Sequence, residues 1–265
     1  KNVIVGKGIE KLTKVKYFYQ IDKRILRLGF KILYRGINCS MKRKEKPINE
    51  YLELICSLLI DQFNVRYEHF SKEDFKKEAN ERYVERDWGY KIGEYFKDLA
   101  YYEVQDECNS QVHHDIYIPS KDFIIELKYL KNWNSSSHTQ SARKQWAPYA
   151  KDFQWLEKEL LSGKKTKRAF LLIWCNCLKY FGQVMQLGTS RGIRNPVNKD
   201  RLVYFPFLMN NKANLDEILT RDLIYNYGKN FPCQLDLNTI GKGNIDMDCL
   251  FLGNENDRLH IAIYF

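Results

Sequence analysis

Long apolar runs, paired cysteines and a phosphate-cradling glycine loop are all missing from this sequence, and each absence narrows what the chain can do. No stretch approaches the ~18 apolar residues of a membrane span. No signal-peptide pattern opens the chain either, so a cytoplasmic protein without membrane partners is expected. The cysteines Cys39, Cys56, Cys108, Cys175, Cys177, Cys233 and Cys249 contain no CxxC pair and no regular spacing. That argues against a zinc site or an iron-sulfur cluster and favours reduced intracellular thiols. There is no internal repeat, no low-complexity tract and no Walker-type loop, Gly6-Lys7-Gly8 being too short a signal for one. No motor or ATP-driven function is therefore expected.

What is present is a chain of 265 residues that is 44% hydrophobic and 14% aromatic, enough for a sizeable core in one domain or one domain plus an appendage. Its net charge of +10 suggests a polyanionic partner, although ribosomal and membrane-surface proteins share such a balance.

The chemistry concentrates in HHDIYIPSKDFIIELKYLKNW, residues 113–133. Two flanks rich in Ile, Tyr and Phe surround Pro119-Ser120-Lys121-Asp122, a cluster with turn chemistry, and this is a β-hairpin signal. A turn symmetric about Ser120 and Lys121 sets residues whose numbers sum to 241 opposite each other, pairing Asp115 with Glu126 and His113 with Lys128. Strand alternation then gathers His113, Asp115, Glu126 and Lys128 on one face and sends His114 to the other. Opposed carboxylates on a half-buried strand need positive charge. With the backbone carbonyl of Leu127 they offer hard oxygen ligands suited to Mg2+, with Mn2+ as a substitute. Such an ion lowers the pKa of bound water and neutralises phosphate charge, while Lys128 positions water or stabilises developing negative charge. The expected reaction is metal-assisted hydrolysis of a phosphodiester.

Asp115, ten residues, then Glu126-Leu127-Lys128 resembles the PD-(D/E)xK nuclease superfamily, with His114 where the family name has proline. The resemblance implies an α/β restriction-endonuclease-like core, a central mixed β-sheet flanked by helices, with the element order helix, three strands, helix, strand. It implies a Mg2+-dependent nuclease in which Asp115, Glu126 and Lys128 are catalytic and Asp115, Glu126 and Leu127 bind metal. A helix ahead of the first strand supplies an extra acid in such enzymes; Glu94 is the first candidate, then Glu81 or Glu85. His113 would support the ligands from behind. Gln145 and Tyr149 fit the QxxxY pattern of the RecB-like and lambda-exonuclease-like branch, where such residues approach DNA; here core packing is the preferred reading for Tyr149. DNA is the expected substrate, cut in restriction, phage defence or repair, by this chain alone, as a homodimer or as the nuclease subunit of a complex. RNA cleavage, exonucleolytic trimming and a non-catalytic nucleic-acid-binding subunit remain open as alternatives.

Around this core, residues 1–70 read as an N-terminal helical and basic elaboration, 71–210 as the nuclease core and 211–265 as an extension packed on it. Met41 to Pro47 reads as a basic loop before a helix over Glu50–Phe63. A capped helical stretch starts at Ser71 and runs to Leu99 with a break expected at Trp88-Gly89. The strand Tyr101–Gln105 follows, then the hairpin, then a long helix over Thr139–Leu161 interrupted at Pro148 and stopped by Gly163. Arg168–Cys177 has the apolar character of a buried central strand. The turn-rich segment Leu187–Asp200 carries Arg191, Arg194 and Lys199, cations suited to nucleic-acid contacts, with an ordinary basic loop as the plain alternative.

Overall fold

The computed structural model describes residues 45–106, 113–131, 142–178, 180–190, 194–209, 218–236 and 244–265, which apart from Glu45 belong to one compact unit, Lys46–Phe265. Residues 41–44 of the basic stretch lie outside the described residues. Helix α1, Ile48–Arg66, begins after Pro47, whose fixed φ of −70° sets an extended entry. It buries one stripe, Ile48, Leu52, Ile55, Cys56, Leu59, Ile60 and Phe63, the spacing of an amphipathic helix lying on a sheet.

Ser71 caps helix α2, Lys72–Glu81, its Oγ accepting the Asp74 N–H at 3.1 Å. Helix α3, Glu85–Gly93, starts where Asp87 accepts the Val84 N–H at 2.9 Å. The break in this helical stretch thus falls at residues 82–84 and not at Trp88-Gly89. Trp88 is fully buried among Phe63, Tyr83 and Tyr129, and that packing holds the helix through the glycine. A 3-10 segment, Glu94–Leu99, with Lys97 at φ 51°, leads to the sheet.

Strands β1 (Tyr101–Gln105), β2 (His113–Ile118) and β3 (Phe123–Leu130) form an antiparallel meander. The turn between β2 and β3 closes with Asp122 in the left-handed region at φ 55°, which a short polar side chain tolerates. Helix α4, Ala142–Leu161, carries the chain across so that β4 (Arg168–Cys175) runs parallel to β3. Pro148 sits inside α4 without interrupting it. An interior proline costs about 3 kcal/mol. Here the face bearing Trp146, Tyr149, Phe153 and Leu156 packs into the core, and the helix continues. Gly163, at φ 82°, ends it as expected, its N–H bonding Leu160 O at 2.9 Å.

After the short helices α5 (Phe181–Val184) and α6 (Lys199–Leu202), β5 (Leu208–Met209) and β6 (Ile224–Tyr225) pair as a small separate ribbon. Strands β7 (Asn230–Asp236), β8 (Asn244–Leu252) and β9 (Leu259–Tyr264) complete a mixed seven-stranded sheet of order β1-β2-β3-β4-β9-β8-β7. The fold is therefore α/β. Strand β9 lies between β4 and β8, fully buried, so residues beyond 210 supply three of the seven strands. One core cluster joins α1, α2 and α3 to one face of the sheet; a second lies under α4 and the segments holding Phe181, Phe205 and Phe207. Among the described residues no helix is long and apolar enough to cross a membrane.

Candidate active site

The hairpin pairs in the register that its turn chemistry dictates: Ile116↔Ile125, Tyr117↔Ile124 and Ile118↔Phe123, each pair summing to 241. The pairing stops at the next step. Asp115 turns its Oδ2 to accept the Leu127 N–H at 2.8 Å, a place a backbone carbonyl would otherwise take. Glu126 and Lys128 both project toward α4, where Lys128 Nζ lies 3.5 Å from Asp152 Oδ2. Asp115 instead lines a small cleft with Glu85, Arg86, Gly89, Tyr90, Tyr102, Glu103 and Leu127, on the side of α3. The acid, acid and lysine are thus neighbours at one end of the hairpin, but they do not share one flat face.

Lys128 is the hub. Its ammonium donates to Glu85 Oε1 at 3.0 Å and to the Leu127 carbonyl at 3.0 Å. Glu85 also accepts the Tyr129 N–H through Oε2 at 3.3 Å, which ties the start of α3 to β3. Burial works against the charge on Lys128, but Asp152, Glu85 and Asp115 outweigh it and hold its pKa above the ordinary lysine range. Lys128 is therefore a fixed cation and not a base. Burial, then the charge of Glu126, push Asp115 up to about 7, against the opposing pull of the Leu127 N–H and Lys128. Burial likewise lifts Asp152 to about 6, with Lys128 opposing it and Glu126 adding to it. Its Oδ2 is buried with no hydrogen bond beyond the ion-pair contact.

The other flank of the cluster is His114. Its Nδ1 lies 2.6 Å from Glu126 Oε1, its Nε2 3.1 Å from Asp106 Oδ2, and its ring rests near Trp155 of α4. Burial opposes protonation of this imidazole, but Glu126 and Asp106 prevail and raise its pKa. Five carboxylates, Asp106, Asp115, Glu126, Glu85 and Asp152, are thus connected around the Lys128 ammonium and the His114 imidazole. Negative charge is in excess. Among the described residues, however, no three His, Cys, Asp or Glu side chains are gathered closely enough to hold a metal ion by themselves.

Several expected residues lie elsewhere. His113 is exposed, and the residue behind Glu126 is His114. Strict alternation misassigned the pair because β1 and β2 are distorted together. Pairing runs from Tyr102↔Ile116 to Val104↔His114 and omits Glu103 and Asp115, with Glu103 at φ 50°. Glu94 is exposed at the start of the 3-10 segment; the helix acid at the site is Glu85, because the helix starts three residues after Arg82 and aims its first turn at β3. Gln145 lies in α4, but its side chain is outside the described residues; Tyr149 is packed on the second core and its hydroxyl is pushed up to about 12, first by burial and then by the charge of Glu85. Arg191 is outside the described residues. Arg194 is exposed on a loop braced by the Gly188↔Val197 bridge, and Lys199 is exposed at the start of α6. Asp152 was legible in principle: with Gln145 and Tyr149 it repeats at i, i+4, i+7 along one helical face.

The five described cysteines Cys56, Cys175, Cys177, Cys233 and Cys249 are free thiols, and all but the half-buried Cys177 are buried. No protein-family model, curated protein or solved structure matches this chain.

Proposed function

We propose that this chain is a metal-dependent nuclease of the PD-(D/E)xK type, hydrolysing phosphodiester bonds of DNA. The observation that carries the reading is the excess of desolvated carboxylate where β2 and β3 part, with Asp115 pushed up to about 7 beside Glu126 and a fixed lysine cation next to them. A desolvated carboxylate cluster of this kind gains when a further positive charge joins it, as a bound divalent cation would. The order α3, β1, β2, β3, α4, β4, with β3 and β4 parallel, also agrees with the helix, three strands, helix, strand expected of a restriction-endonuclease-like core. The net charge of +10 favours a polyanionic substrate.

The donor set fits magnesium, which takes one or two carboxylates and keeps several waters, so a pair suffices where no triplet exists. Asp115, Glu126 and the Leu127 carbonyl would hold it. Asp115 uses Oδ2 and Glu126 uses Oε1 for the bonds above, and among the described residues each carboxylate's second oxygen takes no hydrogen bond. When bound, the ion supplies a lowered water pKa and neutralises phosphate charge. Lys128, charged and pinned by Glu85 and Asp152, stabilises negative charge that develops on the phosphate. Glu85 and Asp152 restrict where that ammonium can point, and the aliphatic stem of Lys128 keeps it near the mouth of the hairpin.

The test is cleavage of circular and linear DNA, single-stranded DNA and RNA in Mg2+ or Mn2+ against EDTA, with Glu126→Ala and Lys128→Ala beside the wild type. Metal-dependent cutting lost in both variants supports the assignment, and the preferred substrate chooses between DNA and RNA. Wild-type cutting that persists in EDTA or in both variants refutes it. Nucleic-acid binding with no cutting by any form shifts the assignment to a non-catalytic or partner-activated subunit.

A further inference from the structure

Side chains two apart on a regular strand share a face, so His114 belongs with Ile116, which is fully buried in the cluster under α1 and α3. It is not there. Its ring lies with centroids 6.1 Å from that of Trp155 on α4, on the side to which Glu126 and Lys128 project. The reversal happens at the omitted pair Glu103 and Asp115, where Glu103 adopts φ 50°. A left-handed glutamate inside a strand is strained and persists only where surrounding contacts impose it. Here two side chains benefit: Asp115 is turned to the Leu127 N–H, and His114 to Glu126.

We infer that His114 is a positioning residue: its Nδ1–H fixes the Glu126 carboxylate for ion binding, and Asp106, on Nε2, fixes the ring. The inference rests on the nuclease reading, in which Glu126 is a metal ligand. Both ring nitrogens face carboxylate oxygens, at 2.6 and 3.1 Å, and the shorter contact, to Glu126, places the donated hydrogen on Nδ1. The side chain of His114 is only 6% exposed and that of Glu126 11%, so neither bond competes with much solvent. A carboxylate held by one oxygen keeps the other pointed, and loss of such an outer support typically weakens metal binding about 10–100-fold.

The experiment is Mn2+ binding by calorimetry, without substrate, on wild type, His114→Ala, His114→Asn, His114→Gln and Glu126→Ala, each checked for folding by circular dichroism. Asparagine places an N–H donor near the position of Nδ1, facing Glu126; glutamine places one near Nε2, facing Asp106. Expected is a 10–100-fold loss for His114→Ala, a similar loss for His114→Gln, and affinity within a few-fold of wild type for His114→Asn. A merely structural histidine would not separate the two amides. Equal affinity for His114→Asn and His114→Gln overturns the inference even if His114→Ala does not fold. Wild-type affinity in all three histidine variants, with binding lost in Glu126→Ala, overturns it while the nuclease reading stands. Wild-type protein that binds no Mn2+, or binds it equally after Glu126→Ala, overturns that reading and this inference together.

Discussion

Replacing Lys128 by methionine keeps the unbranched stem and removes the charge that ion-pairs with Glu85 and Asp152, so its cost can be worked arm by arm. The Glu85 arm is 40% exposed, and a pair that open to solvent contributes at most ~1 kcal/mol. Asp152, only 14% exposed, cannot rehydrate and escapes by taking up a proton. With its pKa at about 6, that escape at pH 7 costs about 1.4 kcal/mol, the equivalent of one pH unit. The two arms together predict a loss of about 2 kcal/mol at pH 7, or roughly 4–8 °C in Tm for a chain of this size. At pH 5.5 Asp152 is already largely neutral, and the loss falls to about 1 kcal/mol, the Glu85 arm alone. Urea unfolding of wild type, Lys128→Met and the double variant Lys128→Met/Asp152→Asn at both pH values measures this directly. The double variant should recover at least the Asp152 share, about 1.4 kcal/mol, at pH 7. A deficit that is the same at both pH values, and that Asp152→Asn does not relieve, would refute the electrostatic reasoning and leave packing as the role of Lys128.

Three further outcomes follow from the same structure. In metal-free buffer the wild type should become more stable as pH falls from 8 toward 5.5. Asp115 at about 7 and Asp152 at about 6 stand above their ordinary 3.8, so the folded state binds more protons than the unfolded one, and the raised pKa of His114 acts with the same sign; chemical denaturation across that range that shows rising stability with pH would contradict it. Arg168→Met should cost about 1.5–3 kcal/mol, since the 5% exposed guanidinium is bonded to Glu159 Oε2 at 3.1 Å and Asp122 O at 2.5 Å and its loss leaves Glu159 with the Lys164 ammonium, a change read as a fall in urea midpoint. Gly93→Ala should cost about 1–3 kcal/mol by thermal melting, because a Cβ there would sit 2.3 Å from Tyr102 Oη and push the ring out of its place against Tyr90.

Local chemistry determined a good deal of this protein from its sequence alone. The turn Pro119 to Asp122 set the hairpin register, Ser71 and Gly163 marked a helix start and a helix stop, and the apolar run from Arg168 announced a fully buried strand. Each of these depends on residues within a few positions of one another, where propensity and hydrogen-bonding needs act without the rest of the fold. The closeness of Asp115, Glu126 and Lys128 was legible for the same reason, all three lying where the strands of one hairpin part.

Tertiary structure decided what depended on partners far away in the chain. Whether His113 or His114 faces Glu126 turned on a distortion shared with β1, and the choice of Glu85 over Glu94 turned on Trp88 anchoring α3 against Phe63 and Tyr129. Asp152 joined the site because α4 runs straight through Pro148 and lays its face over β3. The last strand went to the middle of the sheet because β4, buried on both faces, needed a second neighbour for its backbone N–H and C=O groups, and Leu259–Tyr264 supplied one apolar enough to be buried there. Such choices are set by which surfaces must leave water together, and a pattern read a few residues at a time does not contain them.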